Sequence, residues 1–208
     1  MGLRFSRREL IDFAVAWLAL SVAFSLLLTD LSGVGGGTAT PLEPLVAALF
    51  GPTMAISVVA VGTAFLLHEL AHKVVAVRFG QAAEFRASYQ MLVLAILSAL
   101  VGFLFAAPGA VHHRGRITRR QRGFVALAGP ATNLLLLVPF AALTLLDGLA
   151  GAVGRIGVFA NAILAAFNLL PYGPLDGATV RAWNAWVHGA ALVVSGALAV
   201  FVLFGPAL

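Results

Sequence analysis

The 208-residue chain has no cysteine, only 10% of it is charged, and Lys73 is its sole lysine. Without cysteine there are no disulfides and no thiolate metal sites, so any strong metal ligand has to be a histidine, aspartate or glutamate. Charge this sparse, against roughly a quarter in soluble domains, excludes a soluble globular protein. The chain is instead 61% hydrophobic, with a mean hydropathy of +1.01. Runs of about 20 apolar residues, the length that crosses a bilayer, consume nearly all of it and leave no room for a separate soluble domain. The expectation is an all-α polytopic membrane protein, with residues 1–208 as one membrane-embedded domain.

The formal charge of +5 does not point to nucleic acid, because the arginines sit in short groups beside apolar segments. That is the pattern of positive-inside topology. Arg4, Arg7 and Arg8 precede an apolar run from Leu10 to Leu28. The run is too long for the h-region of a signal peptide, so an uncleaved first span with a cytoplasmic N-terminus is expected. The arginine-rich, lysine-poor set and the lack of an organelle-type leader fit a prokaryotic plasma membrane.

A glycine-rich turn, Gly33 to Gly37, follows, and then a short segment from Pro41 placed at the outer interface. Pro52 suits a helix start, and the second span is expected to run inward to about Phe79. Phe124 to Leu146, Ile156 to Leu170 with its flanks, and His188 to Leu208 complete five full spans. The stretch Met91 to Ala107 is ambiguous. If it crossed, the arginine-dense loop Arg114 to Arg122 would face outward, against the charge rule. A re-entrant hairpin avoids this. The pieces flanking it, Ala82 to Gln90 and Ala107 to His112, are candidates for a small β element that accepts an extended peptide by edge pairing.

His68, Glu69 and His72 form an HELAH pentapeptide inside the second span. Residues four apart share a helix face, so both imidazoles can bind one Zn²⁺ while Glu69 stands beside them as a general base. Ionisable groups within a span are expensive, and three clustered on one helix need a shared compensation, which a bound metal supplies. If Lys73 marks the cytoplasmic boundary together with Arg78 and Arg86, a rise of about 1.5 Å per residue puts His68 roughly 7–8 Å inside it.

A hydrolytic zinc centre usually has three protein ligands and one open position. The acidic candidates for the third are Glu9, Asp12, Asp30, Glu43, Glu84, Asp147 and Asp176. Most lie in terminal or loop contexts that suit a solvated charge at an interface. Asp176 differs, because it ends Asn168-Leu-Leu-Pro-Tyr-Gly-Pro-Leu-Asp176-Gly177, where prolines and glycines break an apolar stretch. Irregular backbone at membrane depth is tolerated where it lines a cavity, so this break suits a site. It also suits a plain Pro-Gly turn with Asp176 capping the next helix, and the two readings are compatible.

HELAH in a membrane helix followed by NLLPxxPLDG resembles the site-2 proteases, the intramembrane zinc metalloproteases, and Gly129-Pro-Ala-Thr-Asn133 resembles their GPxxN motif. The resemblance implies one Zn²⁺ per chain held by His68, His72 and Asp176, with Glu69 as the base that activates water. It implies that Asn168 holds the substrate peptide or stabilises its oxyanion. It further implies a catalytic core of about residues 52–187 and regulated proteolysis of transmembrane helices near the cytoplasmic face. Ala71 and Ala178 stand where relatives often have glycine, and the PDZ and CBS modules of many relatives are absent. The competing function is a non-enzymatic membrane metal-ion transporter or binding scaffold using the same ligands.

Other polar residues have plainer explanations. His112 and His113 read as a solvated loop, Trp183, Trp186 and His188 as interface anchors, and Asn133 as a helix-packing and kink element.

Overall fold

The computed structural model describes residues 2–29, 42–105 and 107–205, so the Gly33 to Gly37 turn, Pro41 and Asp30 lie outside the described residues. In chain order the elements are α1 (Arg7–Leu28), α2 (Leu42–Phe50), α3 (Pro52–Arg78), β1 (Ala82–Ala87), α4 (Tyr89–Leu100), β2 (Gly109–Arg114), α5 (Arg119–Leu143), α6 (Gly148–Asn168), α7 (Asp176–Trp183) and α8 (Ala185–Phe204). Five of the described helices, α1, α3, α5, α6 and α8, are long and apolar enough to cross a membrane. Local signals set their starts. The Ser6 hydroxyl accepts from the Glu9 amide at α1, Pro52 opens α3, and Thr118 and Gln121 form a capping box at α5.

The ambiguous apolar stretch forms a hairpin closed by paired strands. α4 has 12 residues, about 18 Å of helix against a hydrocarbon core of about 30 Å. The strands on either side of it pair antiparallel, from Ala82 with Arg114 to Ala87 with Gly109, so the chain leaves at the end where it entered. Phe85 of β1 is fully buried, stacked on Phe13 at 4.4 Å and edge-on to Phe65 at 5.8 Å, which fixes the sheet between α1 and α3. The strands span Ala82–Ala87 and Gly109–Arg114, so β1 stops short of Gln90 and β2 runs on past His112. His112 and His113 accordingly lie on an exposed strand and not in a loop.

Lys73 does not mark a solvent boundary. Its ammonium is buried with the Glu9 carboxylate, Nζ to Oε1 2.6 Å and Nζ to Oε2 2.5 Å, and also donates to the Arg4 carbonyl at 2.7 Å. The same carboxylate accepts from the Phe85 amide at 2.9 Å, so one ion pair ties α1, α3 and β1. Asp12 is likewise buried, accepting from the Tyr89 hydroxyl at 2.7 Å with Arg86 at 3.6 Å. Glu9 and Asp12 are thus internal partners, which corrects the expectation of solvated charges. Glu84 is more open. The Ser6 hydroxyl donates to it and, ahead of the neighbouring Arg86, holds its carboxyl below the usual range.

Depth measured from Lys73 loses its anchor. Counted from Arg78, His68 lies about 15 Å along the α3 axis, well inside the bundle. A Lys73→Met substitution would leave Glu9 buried without its counter-charge, a loss of about 3–5 kcal/mol. Adding Glu9→Gln should recover most of it. Thermal unfolding in detergent micelles compares the single and double variants, and equal melting of the two would contradict the pairing.

Candidate metal centre

His68 and His72 stand one turn apart on α3, buried at 3% and 8% exposure. Their Nε2 atoms face each other at 3.0 Å. The Asp176 Oδ2, from the first residue of α7, completes a triangle at 3.4 Å from His68 Nε2 and 3.3 Å from His72 Nε2. Among the described residues this is the group of histidines and carboxylates whose ligand atoms gather closely enough to hold a metal ion. Of the remaining acidic candidates, Glu9 and Asp12 are tied to Lys73 and Tyr89, while Glu43 and Asp147 are exposed.

The outer nitrogens set the chemistry of the rings. His72 Nδ1 sits 2.7 Å from the Val125 carbonyl, and His68 Nδ1 sits 2.5 Å from Asn133 Oδ1. Both partners are oxygen acceptors, so each Nδ1 carries the hydrogen and donates it. A neutral ring then presents Nε2 as a bare lone pair. Two lone pairs at 3.0 Å with a carboxylate oxygen beside them repel unless a cation lies between them. In a tetrahedral zinc site with bonds of about 2.0–2.1 Å, neighbouring ligand atoms are about 3.3–3.4 Å apart, close to the edges of this triangle. The donor set therefore fits a divalent metal of zinc's size and ligand preference.

Two backbone arrangements make room for this group. Gly129 of α5 lies directly over the cradle, and a Cβ there would meet His72 Nε2 at 2.4 Å and His68 Nε2 at 2.5 Å. Gly177 packs where a Cβ would lie 2.1 Å from the Leu169 carbonyl, which lets the loop after α6 fold back and aim Asp176 at α3. His188 of α8 holds the same carbonyl, its Nε2–H donating to Leu169 O at 2.8 Å. At 6% exposure His188 supports the loop and is not turned outward as an interface anchor would be, whereas Trp186 is 89% exposed. Trp183 packs on Phe124, ring centroids 4.7 Å apart.

Glu69 is buried beside the two imidazoles, near Val111 of β2. Because the Phe85 amide is spent on Glu9, away from β2, the Phe85–Val111 pair is a non-hydrogen-bonded one. The N–H and C=O of Val111 therefore point to the outer edge of β2, which no strand covers among the described residues. Asn168 does not join the cluster. It ends α6 half-buried, its amide donating to Leu164 O one turn back at 3.0 Å.

Sequence reasoning missed the part Asn133 plays at His68, and it missed Asn161 altogether. The available signal was the expense of an amide within an apolar span, which asks for a partner at each occurrence.

The fold and the cluster together define a polytopic membrane protein with a His-His-carboxylate centre and a glutamate beside it. The chain is 38% identical over 189 residues to a Methanocaldococcus jannaschii protein named "Putative zinc metalloprotease MJ0611", covering 88% of each chain. It is 33% identical over 182 residues to "Putative zinc metalloprotease Rip3" of Mycobacterium tuberculosis, covering 84% of this chain and 42% of that one. No family model and no solved structure matches the chain. The chain belongs to the site-2 protease family of zinc metalloproteases.

Proposed function

We propose that this protein is an intramembrane endopeptidase that hydrolyses peptide bonds in or near transmembrane helices of other membrane proteins. One observation carries the reading: a metal-sized triangle of His68, His72 and Asp176 with a buried carboxylate, Glu69, beside it, inside an apolar bundle. His68, His72 and Asp176 would hold one Zn²⁺, which when bound makes water acidic and polarises a peptide carbonyl. Glu69 accepts the proton of the attacking water and passes it to the leaving amine. The residues 1–208 act as one membrane domain, with the catalytic core at about 52–187. Asn168, at the mouth of the Asp176 loop, has its carboxamide oxygen and one N–H left over for the substrate backbone.

A transmembrane helix hides its carbonyls in its own hydrogen bonds, so the substrate must unwind before attack. The outward N–H and C=O of Val111 offer the unwound segment a strand partner next to Glu69. Val111→Pro, which removes that N–H, should lower turnover about tenfold while zinc content stays at one per chain. Unchanged proteolysis would remove β2 from the substrate path. The ends carrying Arg4, Arg7, Arg8, Arg78 and Arg114 to Arg122 lie on one side of the bundle, and the positive-inside rule makes that side cytoplasmic in a prokaryotic plasma membrane.

Purified protein in vesicles, loaded with zinc and given a reporter transmembrane substrate, tests the proposal. Cleavage inside the membrane segment, stopped by a chelator and restored by zinc, is the expected result. Zinc flux across the vesicle without any cleavage would favour the transporter.

A further inference from the structure

Asn133 of α5 and Asn161 of α6 are fully buried in a bundle whose other contacts are largely apolar. An amide in such surroundings is unfavourable unless its polar atoms are bonded, and here both amides are. Asn133 Oδ1 faces His68 Nδ1 at 2.5 Å. Its Nδ2 donates to the Ala64 carbonyl at 3.1 Å and to Asn161 Oδ1 at 2.8 Å. Asn161 Nδ2 in turn donates to the Gly157 carbonyl, one turn back in α6, at 2.8 Å.

The chain of bonds has a direction, and the backbone sets it. A carboxamide can be turned over with little change of shape, exchanging oxygen for nitrogen. Turned over, Asn133 would present N–H to His68 Nδ1, which would then have to accept. The ring hydrogen would move to Nε2, where it would point into the metal cradle and remove the lone pair a metal needs. Asn133 is kept from turning because both its N–H groups are engaged. Asn161 is kept from turning because the Gly157 carbonyl can only accept, which leaves the Asn161 oxygen facing Asn133.

We infer that Asn161 is a positioning residue for the metal centre, acting through Asn133 to hold His68 in the one tautomer that leaves its Nε2 free for a metal. The inference rests on the metal-centre reading above. It adds a residue that makes no contact with the cluster and lies on a different helix from either imidazole. α6, which also leads to Asp176, thereby governs two ligands, one through its terminal loop and one through its core.

The test uses the full chain in detergent micelles with ¹⁵N-labelled histidine and no metal. His68, assigned by its loss in a His68→Gln variant, should show the Nδ1–H tautomer. Asn161→Leu, or Asn161→Ala if the leucine variant fails to fold, should give a mixture with the Nε2–H form. Its zinc affinity, by competition with a chromophoric chelator, should fall about 10- to 100-fold, the range for residues that orient metal ligands. Asn161→Asp enters this interior as the neutral acid, accepting from Asn133 and donating to Gly157 O, so it should restore both readouts. A folded leucine or alanine variant with wild-type tautomer and affinity overturns the inference, and so does an aspartate variant as impaired as the leucine one. Wild-type protein that binds no zinc would sink the metal reading itself, whereas the tautomers, read without metal, still report on Asn161.

Discussion

A Glu69→Gln chain should purify with one zinc ion per molecule and cleave a reporter transmembrane substrate about 10²–10⁴-fold more slowly than the wild type. Glutamine keeps the size and shape of the buried side chain, so the fold and the cradle have no reason to change. What it cannot do is take a proton from water. Because Glu69 is buried at 9% exposure, no bulk base can easily replace it. Zinc content by metal analysis and cleavage by gel separate the two roles. Cleavage at the wild-type rate would show that Glu69 is not the base.

Gly129→Ala should abolish metal binding at ordinary zinc concentrations, with affinity lower by on the order of 10²-fold or more. The added methyl would meet the metal-facing side of the cradle at 2.4, 2.5 and 2.6 Å, namely the Nε2 of both histidines and His68 Cε1. The methyl itself cannot turn aside, since the Cβ position follows from the α5 backbone. Either the imidazoles swing away from their Asn133 and Val125 partners or α5 backs away from α3. Both outcomes spread the triangle of ligand atoms. Chelator competition measures the loss, and unchanged helix content by circular dichroism shows that the bundle still forms. A zinc affinity equal to the wild type would mean that α5 does not lie over the histidines as described.

The spans were readable because their signal is local: apolar runs of membrane length, closed off by arginines. That the chain turns back at Met91 to Ala107 was readable by elimination, since a crossing there would have put the Arg114 to Arg122 loop on the wrong side. The residues that gather at the centre were readable as motifs, because His68 and His72 share a helix face by their spacing and Asp176 sits in a broken apolar segment. Asn168 was read from resemblance as well, and its geometry leaves it near the loop and outside the cluster.

What was not readable depends on partners far away in the chain. Glu9 and Lys73 are 64 positions apart, and nothing near either one announces the other. Glu9 therefore looked like a charge at an interface, and Lys73 like a boundary marker. His188 next to Trp186 has the look of a membrane-edge belt, yet its ring turns inward to Leu169 because α8 packs against the end of α6. Asn133 and Asn161 each occur singly in an apolar run, with no period to expose a shared role, and only the approach of α5 to α6 brings them to 2.8 Å.

The buried pairing of Glu9 with Lys73 has a consequence for how the protein is made. A ribosome delivers α1 to the membrane well before α3, so Glu9 and Asp12 arrive without the ammonium and the Tyr89 hydroxyl that later receive them. Sinking the start of α1 before those partners arrive would bury two unpaired carboxylates, so it is expected to stay near the water-facing headgroups until α3 and the hairpin come in. A nascent chain stopped before Lys73 is therefore expected to hold its leading helix higher in the bilayer than the finished protein does.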